Sequence, residues 1–135
     1  MTVGQRVSGV VDVHMPAGCK DAQRRPRYVV IACGDGNFAV HHLHWRTWGG
    51  TSATAVGDVS ANDCIPYCAA GHFHDYPVKL RVWRPRQLLS GDVLVFTRMR
   101  LTYVAGTPSG SDPRAPTFTA EISDVDDEQD YWWRD

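Results

Sequence analysis

The chain is predicted to be all-β, an antiparallel β-sandwich or small barrel of about seven short strands stapled by disulfides. Three observations carry that expectation. Apolar and polar residues alternate with a period of two in several segments, most cleanly from Tyr76 to Arg84. Twelve glycines and eight prolines are spread through 135 residues and cut the chain into short pieces, while no segment of helical length carries a helical period. Four cysteines form an even set able to close two bridges.

The strands follow in order. Val7 to Val13 is a weak first candidate. Tyr28 to Cys33 is a compact β-branched and aromatic run after the basic loop Arg24 to Arg27, and it reads as a central strand. It leaves at Gly34, Asp35, Gly36 and Asn37, where Asp-Gly supplies the positive φ that a tight hairpin turn needs. Phe38 to Arg46 returns. Strict alternation there puts Phe38, Val40, His42 and His44 on one face and Ala39, His41, Leu43 and Trp45 on the other.

After Gly49 and Gly50, Thr51 to Val59 alternates small with hydroxylated residues, which suits a strand lying close against other structure. In Tyr76 to Arg84, Val78, Leu80 and Val82 point inward against Lys79, Arg81 and Trp83. Leu94 to Val104 repeats the pattern, with Val95, Thr97, Met99, Leu101 and Tyr103 opposed to Arg98, Arg100 and Thr102. Pro85 to Asp92 has room for one helical turn, Gly106 to Pro116 is a polar loop, and Thr117 to Ile122 is the last strand.

Composition bounds the function classes. At 43% hydrophobic and 21% charged, 135 residues suffice for one core. No apolar run approaches membrane-spanning length. The net charge of −1 conceals an asymmetry, because from Glu121 onward seven acids face Arg134 alone. Residues 1–123 therefore read as a single β-domain and 124–135 as an acidic tail carrying Trp132 and Trp133. Two adjacent indoles are costly to leave in water, so Tyr131, Trp132 and Trp133 are expected to dock on the body or on a partner. The body is too weakly basic for a nucleic-acid domain, and nucleic acid is not expected as a partner.

The cysteines admit more than one chemistry. In an oxidising compartment Cys19, Cys33, Cys64 and Cys68 form disulfides. Bridges between the Cys19/Cys33 pair and the Cys64/Cys68 pair would close loops of roughly 30 to 50 residues and stabilise by about 3 to 4 kcal/mol each. Pairing within the two groups is also sterically possible and stabilises less. The alternative is zinc held by Cys64, Cys68, His72 and His74, although His72 and His74 stand closer together than the usual histidine pair of such sites.

His41, His42 and His44 invite a metal or catalytic reading, with His42 and His44 as the chelating pair. The plainer one is amphipathic cover beside Trp45. Trp83 with Arg81, Arg84, Arg86, Arg98 and Arg100 would make an outward face suited to stacking and charge, and the plainer reading is a solvated sheet face with arginine stems lying on the tryptophan. No nucleophile elbow, phosphate-binding loop, dinucleotide turn or zinc-protease helix is present.

Several patterns occur together: Arg25, Pro26 and Tyr28; Ala32 through Asn37; Leu43, Trp45, Trp48 and Gly49; Asn62, Asp63, Cys64, Pro66, Cys68 and Ala69; and Gly71, His72, Phe73, His74, Tyr76, Pro77 and Val78. Combined, they resemble a group of small actinobacterial exported or lipoprotein-like proteins without an assigned activity, over about residues 19 to 104. The resemblance implies an extracytoplasmic β-domain with Cys19, Cys33, Cys64 and Cys68 in disulfides, from an actinobacterium or one of its phages. It supplies no catalytic residue. The chain departs from the group in its acidic Trp-Trp tail and in residues 1 to 13, which lack the continuous apolar stretch of an export leader. A mature exported form and a cytoplasmic or phage-encoded protein both fit that beginning.

The expected function is a non-enzymatic secreted or cell-envelope binding module without a cofactor. Its partner would be a protein or an envelope ligand, met by the loops around Asp35, Trp48 and His72. Candidate contacts are Asp35, Trp48, His72, His74, Arg81, Trp83, Trp132 and Trp133. The alternatives are a metal-binding protein, with a hydrolase among its forms, and a phage-encoded protein whose terminal indoles bind a host protein.

Overall fold

The computed structural model describes residues 13–19, 21–33, 36–87, 94–108, 117–122 and Trp133. Eight strands occur among them: β1 (Val13–Pro16), β2 (Ala22–Gln23), β3 (Val29–Val30), β4 (Phe38–Trp48), β5 (Ser52–Asn62), β6 (Phe73–Gln87), β7 (Leu94–Tyr103) and β8 (Thr117–Glu121). A single 3-10 turn spans Cys68–Ala70, and the described residues contain no α-helix. The strands form one mixed sheet curled into a half-barrel, in the order β2-β1-β7-β6-β5-β4-β3, with β8 paired to β7.

The centre of the sheet is an antiparallel meander. β5 and β6 pair without interruption from Ser52 opposite Trp83 to Asn62 opposite Phe73, and β6 and β7 keep one register from Val78 opposite Tyr103 to Gln87 opposite Leu94, with a break at Arg84, where φ is 59. Alternation is cleanest here because one face meets the core and the other meets water. Val78, Leu80 and Val82 are buried while Lys79 and Arg81 are exposed. β5 contributes small inward residues, Ala53, Ala55, Gly57 and Ala61, which leave room for Leu43 of β4 and Met99 and Leu101 of β7. Fully burying each of those larger side chains stabilises by about 1.5–3 kcal/mol. One pair departs from the expected antiparallel pattern: β1 runs parallel to β7, Val13 opposite Leu94.

Two expectations about strands are corrected. Tyr28 to Cys33 is not a central strand; only Val29 and Val30 pair, at the edge, against Val40 and Ala39. Its apolar character comes from insertion of Val29 and Ile31 into the core, which needs no hydrogen-bonded ladder. The hairpin itself forms, with Gly36 at φ 70. Pro85 to Gln87 extends β6 instead of starting a helical turn.

The second correction concerns β4. Bulges lie between His41 and His44 and between Trp45 and Thr47, and His42 adopts φ 57. Each bulge adds a residue to one side of the ladder, so the two-residue period slips. Leu43 is consequently buried with Val40, and His42 does not share a regular strand face with His44.

Trp133 belongs to the core. It is 6% exposed, and its indole N–H donates to the Pro16 carbonyl at 3.3 Å. The expected docking of the tail on the body is thus seen at this residue, and Trp133 is not free to serve as a surface contact. Tyr131 and Trp132 lie outside the described residues, as do Asp35 and residues 1–12.

Candidate functional site

Both disulfides pair within groups, Cys19 with Cys33 and Cys64 with Cys68, so the longer between-group loops are not formed. The second bridge closes the turn between β5 and β6, and side chains at its base hold the turn in shape. Asn62 accepts from the Cys64 amide at 2.9 Å and donates to the Cys68 carbonyl at 2.8 Å and to Asn37 at 3.0 Å. Asp63 accepts from the amides of Ile65 and His72, both at 3.0 Å, and its other oxygen meets His74 Nε2 at 2.9 Å.

The His74 hydrogen bond, followed by those amide donors, holds the Asp63 carboxyl down at about 2. Gly71 fits close beneath this network, where a Cβ would overlap Asn62 and Cys64. The loop therefore presents a fixed surface on which Ile65, Tyr67 and Phe73 are all more than half exposed. With Cys64 bonded to Cys68 and His74 engaged by Asp63, this oxidised loop does not offer the four-ligand zinc set of Cys64, Cys68, His72 and His74.

Trp48 is not a presented loop residue. Its N–H donates to the Val13 carbonyl at 3.1 Å, and its ring packs edge-on against Trp45 and Phe96. Trp45 donates in turn to the Pro26 carbonyl at 2.8 Å. The second β4 bulge returns both indoles to one side, where they fasten β4 to β1 and to the loop before β3.

Of the expected outward basic face, Trp83, Arg81 and Arg100 come together, and Arg46 and Lys79 join the two arginines in one lining. Arg81 lies 4.7 Å and Arg100 5.9 Å from the Trp83 ring centre. Arg81 stands directly opposite Arg100 in the ladder, a like-charge pair that is unfavourable unless something anionic or aromatic compensates it. Beside them lies an open depression of about 550 Å³ lined by Arg46, Lys79, Arg81, Arg100, Thr54 and Thr102, with no acid among the described residues that line it. Arg98 is neutralised separately by Glu121 at 3.0 Å. Lys79 shares the outward side of β6 with Arg81 and Trp83, as the alternation implies, whereas Arg46 was not legible as a member, because its proximity depends on the β4 to β5 register after the bulges.

A third cluster joins β4, β5 and β6. His41 and His42 stack with centroids 3.9 Å apart; His41 Nε2 meets Asp75 at 3.0 Å and His42 Nδ1 meets Asp58 at 3.2 Å. Sequence reasoning chose His42 and His44 and missed both aspartates. Comparison with known protein families, curated proteins and solved structures finds no match for this chain.

Proposed function

We propose that this protein is a non-enzymatic, extracytoplasmic binding module that uses its basic outer face to hold an anionic ligand of the cell envelope. The observation that carries the reading is the opposed pair Arg81 and Arg100, both over Trp83, in a depression with Arg46 and Lys79 and no acid among the described lining residues. A sheet face evolved only for solubility would intersperse opposite charges, whereas here a planar ring and four cations converge. An anionic glycan or its phosphate substituents would meet guanidinium forks through paired hydrogen bonds and lay a sugar face on the indole.

Two disulfides support an oxidising, extracellular setting for this module, as does the resemblance to exported actinobacterial proteins. The stapled loop with Ile65, Tyr67 and Phe73 would be a second contact, for a protein partner. No described helix is long and apolar enough to cross a membrane.

Binding to an immobilised anionic polysaccharide, compared with its neutral analogue across a salt series, tests the proposal. Retention by the anionic form alone, lost in Arg81→Ala/Arg100→Ala, is the expected result. Equal retention on both, or a stronger salt-resistant affinity for single-stranded nucleic acid, would overturn it.

A further inference from the structure

The first bulge in β4 does something a regular strand cannot. Adjacent residues on a strand point to opposite faces, yet His41 and His42 lie ring against ring, 3.9 Å apart and 20° from parallel. That arrangement depends on His42 holding φ 57, a left-handed conformation that costs a non-glycine residue and persists only where its surroundings impose it. Gly57 on β5 makes the approach possible, since a Cβ there would stand 2.9 Å from the His41 carbonyl oxygen.

Two aspartates complete the cluster. Asp75 reaches over β5 from β6 to within 3.0 Å of His41 Nε2, and Asp58 lies 3.2 Å from His42 Nδ1. Nitrogen or oxygen atoms of His41, His42 and Asp75 all fall within 4.8 Å of one another. Two ligands bound at ~2.1 Å to one ion at tetrahedral or square angles sit about 3.0–3.4 Å apart, so the His41 to Asp75 spacing already matches a shared cation. Asp58 would act from behind, accepting from His42 Nδ1 and leaving Nε2 free, the orientation that carboxylates impose on metal-bound imidazoles.

We propose that His41, His42 and Asp75 form a surface site for a divalent transition-metal ion, with Asp58 as its positioning residue. Two imidazoles and one carboxylate select a borderline cation: Cu²⁺ most tightly and Zn²⁺ next to it, with Ca²⁺ and Mg²⁺ excluded by the shortage of oxygen ligands. All three ligands keep an exposed flank, His41 the least, so solvent completes the coordination. The ion ties β4 to β6 across β5. This site adjoins the basic face, since Val56 and Lys79 line both that depression and the one beside His42 and Asp58, but it uses none of the arginines and does not depend on them.

The test uses the full chain, tag-free and stripped with chelator, titrated with Zn²⁺ and Cu²⁺ alone. Calorimetry should show one saturable site per chain, and electron paramagnetic resonance of the Cu²⁺ form should show coupling to two imidazole nitrogens. His41→Gln and Asp75→Asn should each weaken binding at least about tenfold, and Asp58→Asn by a smaller factor. His42→Asn, a residue that accepts the left-handed conformation, removes the second nitrogen while preserving the bulge. His44→Ala should leave binding unchanged, and Zn²⁺ should raise the melting temperature of the parent but not of His41→Gln. Unsaturable binding, or a site that survives in folded His41→Gln/His42→Asn and disappears in His72→Ala/His74→Ala, would overturn the assignment.

Discussion

Trp133 donates its indole N–H to the carbonyl of Pro16, a partner 117 positions earlier in the chain. The acidic segment that looked like an appendage is therefore anchored in the core at this position, against β1, the strand that adds the only parallel pairing among the described residues. Trp133→Ala should destabilise by about 3–5 kcal/mol, the range for emptying a buried tryptophan site, and Trp133→Phe by clearly less. Urea denaturation followed by fluorescence measures both. A change within the noise would return the indole to the surface.

Each disulfide should have its own stabilising effect. Cys19 and Cys33 are separated by 14 positions and Cys64 and Cys68 by 4, so in the chain-entropy view their loss costs about 3 and about 2 kcal/mol respectively. Paired Cys→Ser variants in denaturant melts would show this order. Thiol counting on the natively produced protein should find no free sulfhydryl. Four free thiols would remove the extracellular assignment.

The pH dependence has two limbs of known sign. Asp63 is held at about 2 in the folded chain by His74 and two amides, below its ordinary 3.8, so its contribution is present above pH 3.8 and lost as pH falls toward 2. Tyr103 is pushed up to about 12 by burial and by nearby Tyr76, so its contribution is present below pH 10 and lost as pH rises toward 12. Asp63→Asn should remove part of the acid limb and increase amide exchange at Ile65 and His72. Tyr103→Phe should flatten the alkaline limb followed by phenolate absorbance. An unchanged acid limb in Asp63→Asn would show that the stapled loop does not depend on this carboxylate.

Gly57→Ala tests the bulge. The added methyl would press within 2.9 Å of both the His41 carbonyl and the Leu43 side chain. We expect about 1–3 kcal/mol of destabilisation from overpacking and a weaker Zn²⁺ site, because the backbone that must yield is the one aligning His41 with His42. Calorimetry on the folded variant separates the two effects.

Much of the sheet was readable because solvent does the labelling. Where one face of a strand is wet, as at Lys79 and Arg81 against Val78, Leu80 and Val82, polarity reports direction residue by residue. The reading failed where that labelling was absent. In β4 both faces carry aromatic or imidazole rings, so nothing in the pattern marked the two slips, and His42 was assigned to the wrong companion. Val29 and Ile31 looked like a central strand because burial and hydrogen-bonded pairing leave the same apolar signature. The aspartates at 58 and 75 became visible only with the register, since their partners lie on other strands. Counting back from the stapled turn, with Asn62 opposite Phe73, places Asp75 opposite Ser60, one strand away from the histidines.

The irregularity of β4 also shapes the free border of the sheet. β3 covers only Ala39 and Val40, and no other described strand pairs along that border of the sheet. A straight ladder there would invite a neighbouring copy to add its own strand and begin a fibril. Bent twice within a few residues, the border presents its amides and carbonyls out of line. Concentrated solutions should therefore stay free of edge-joined aggregates.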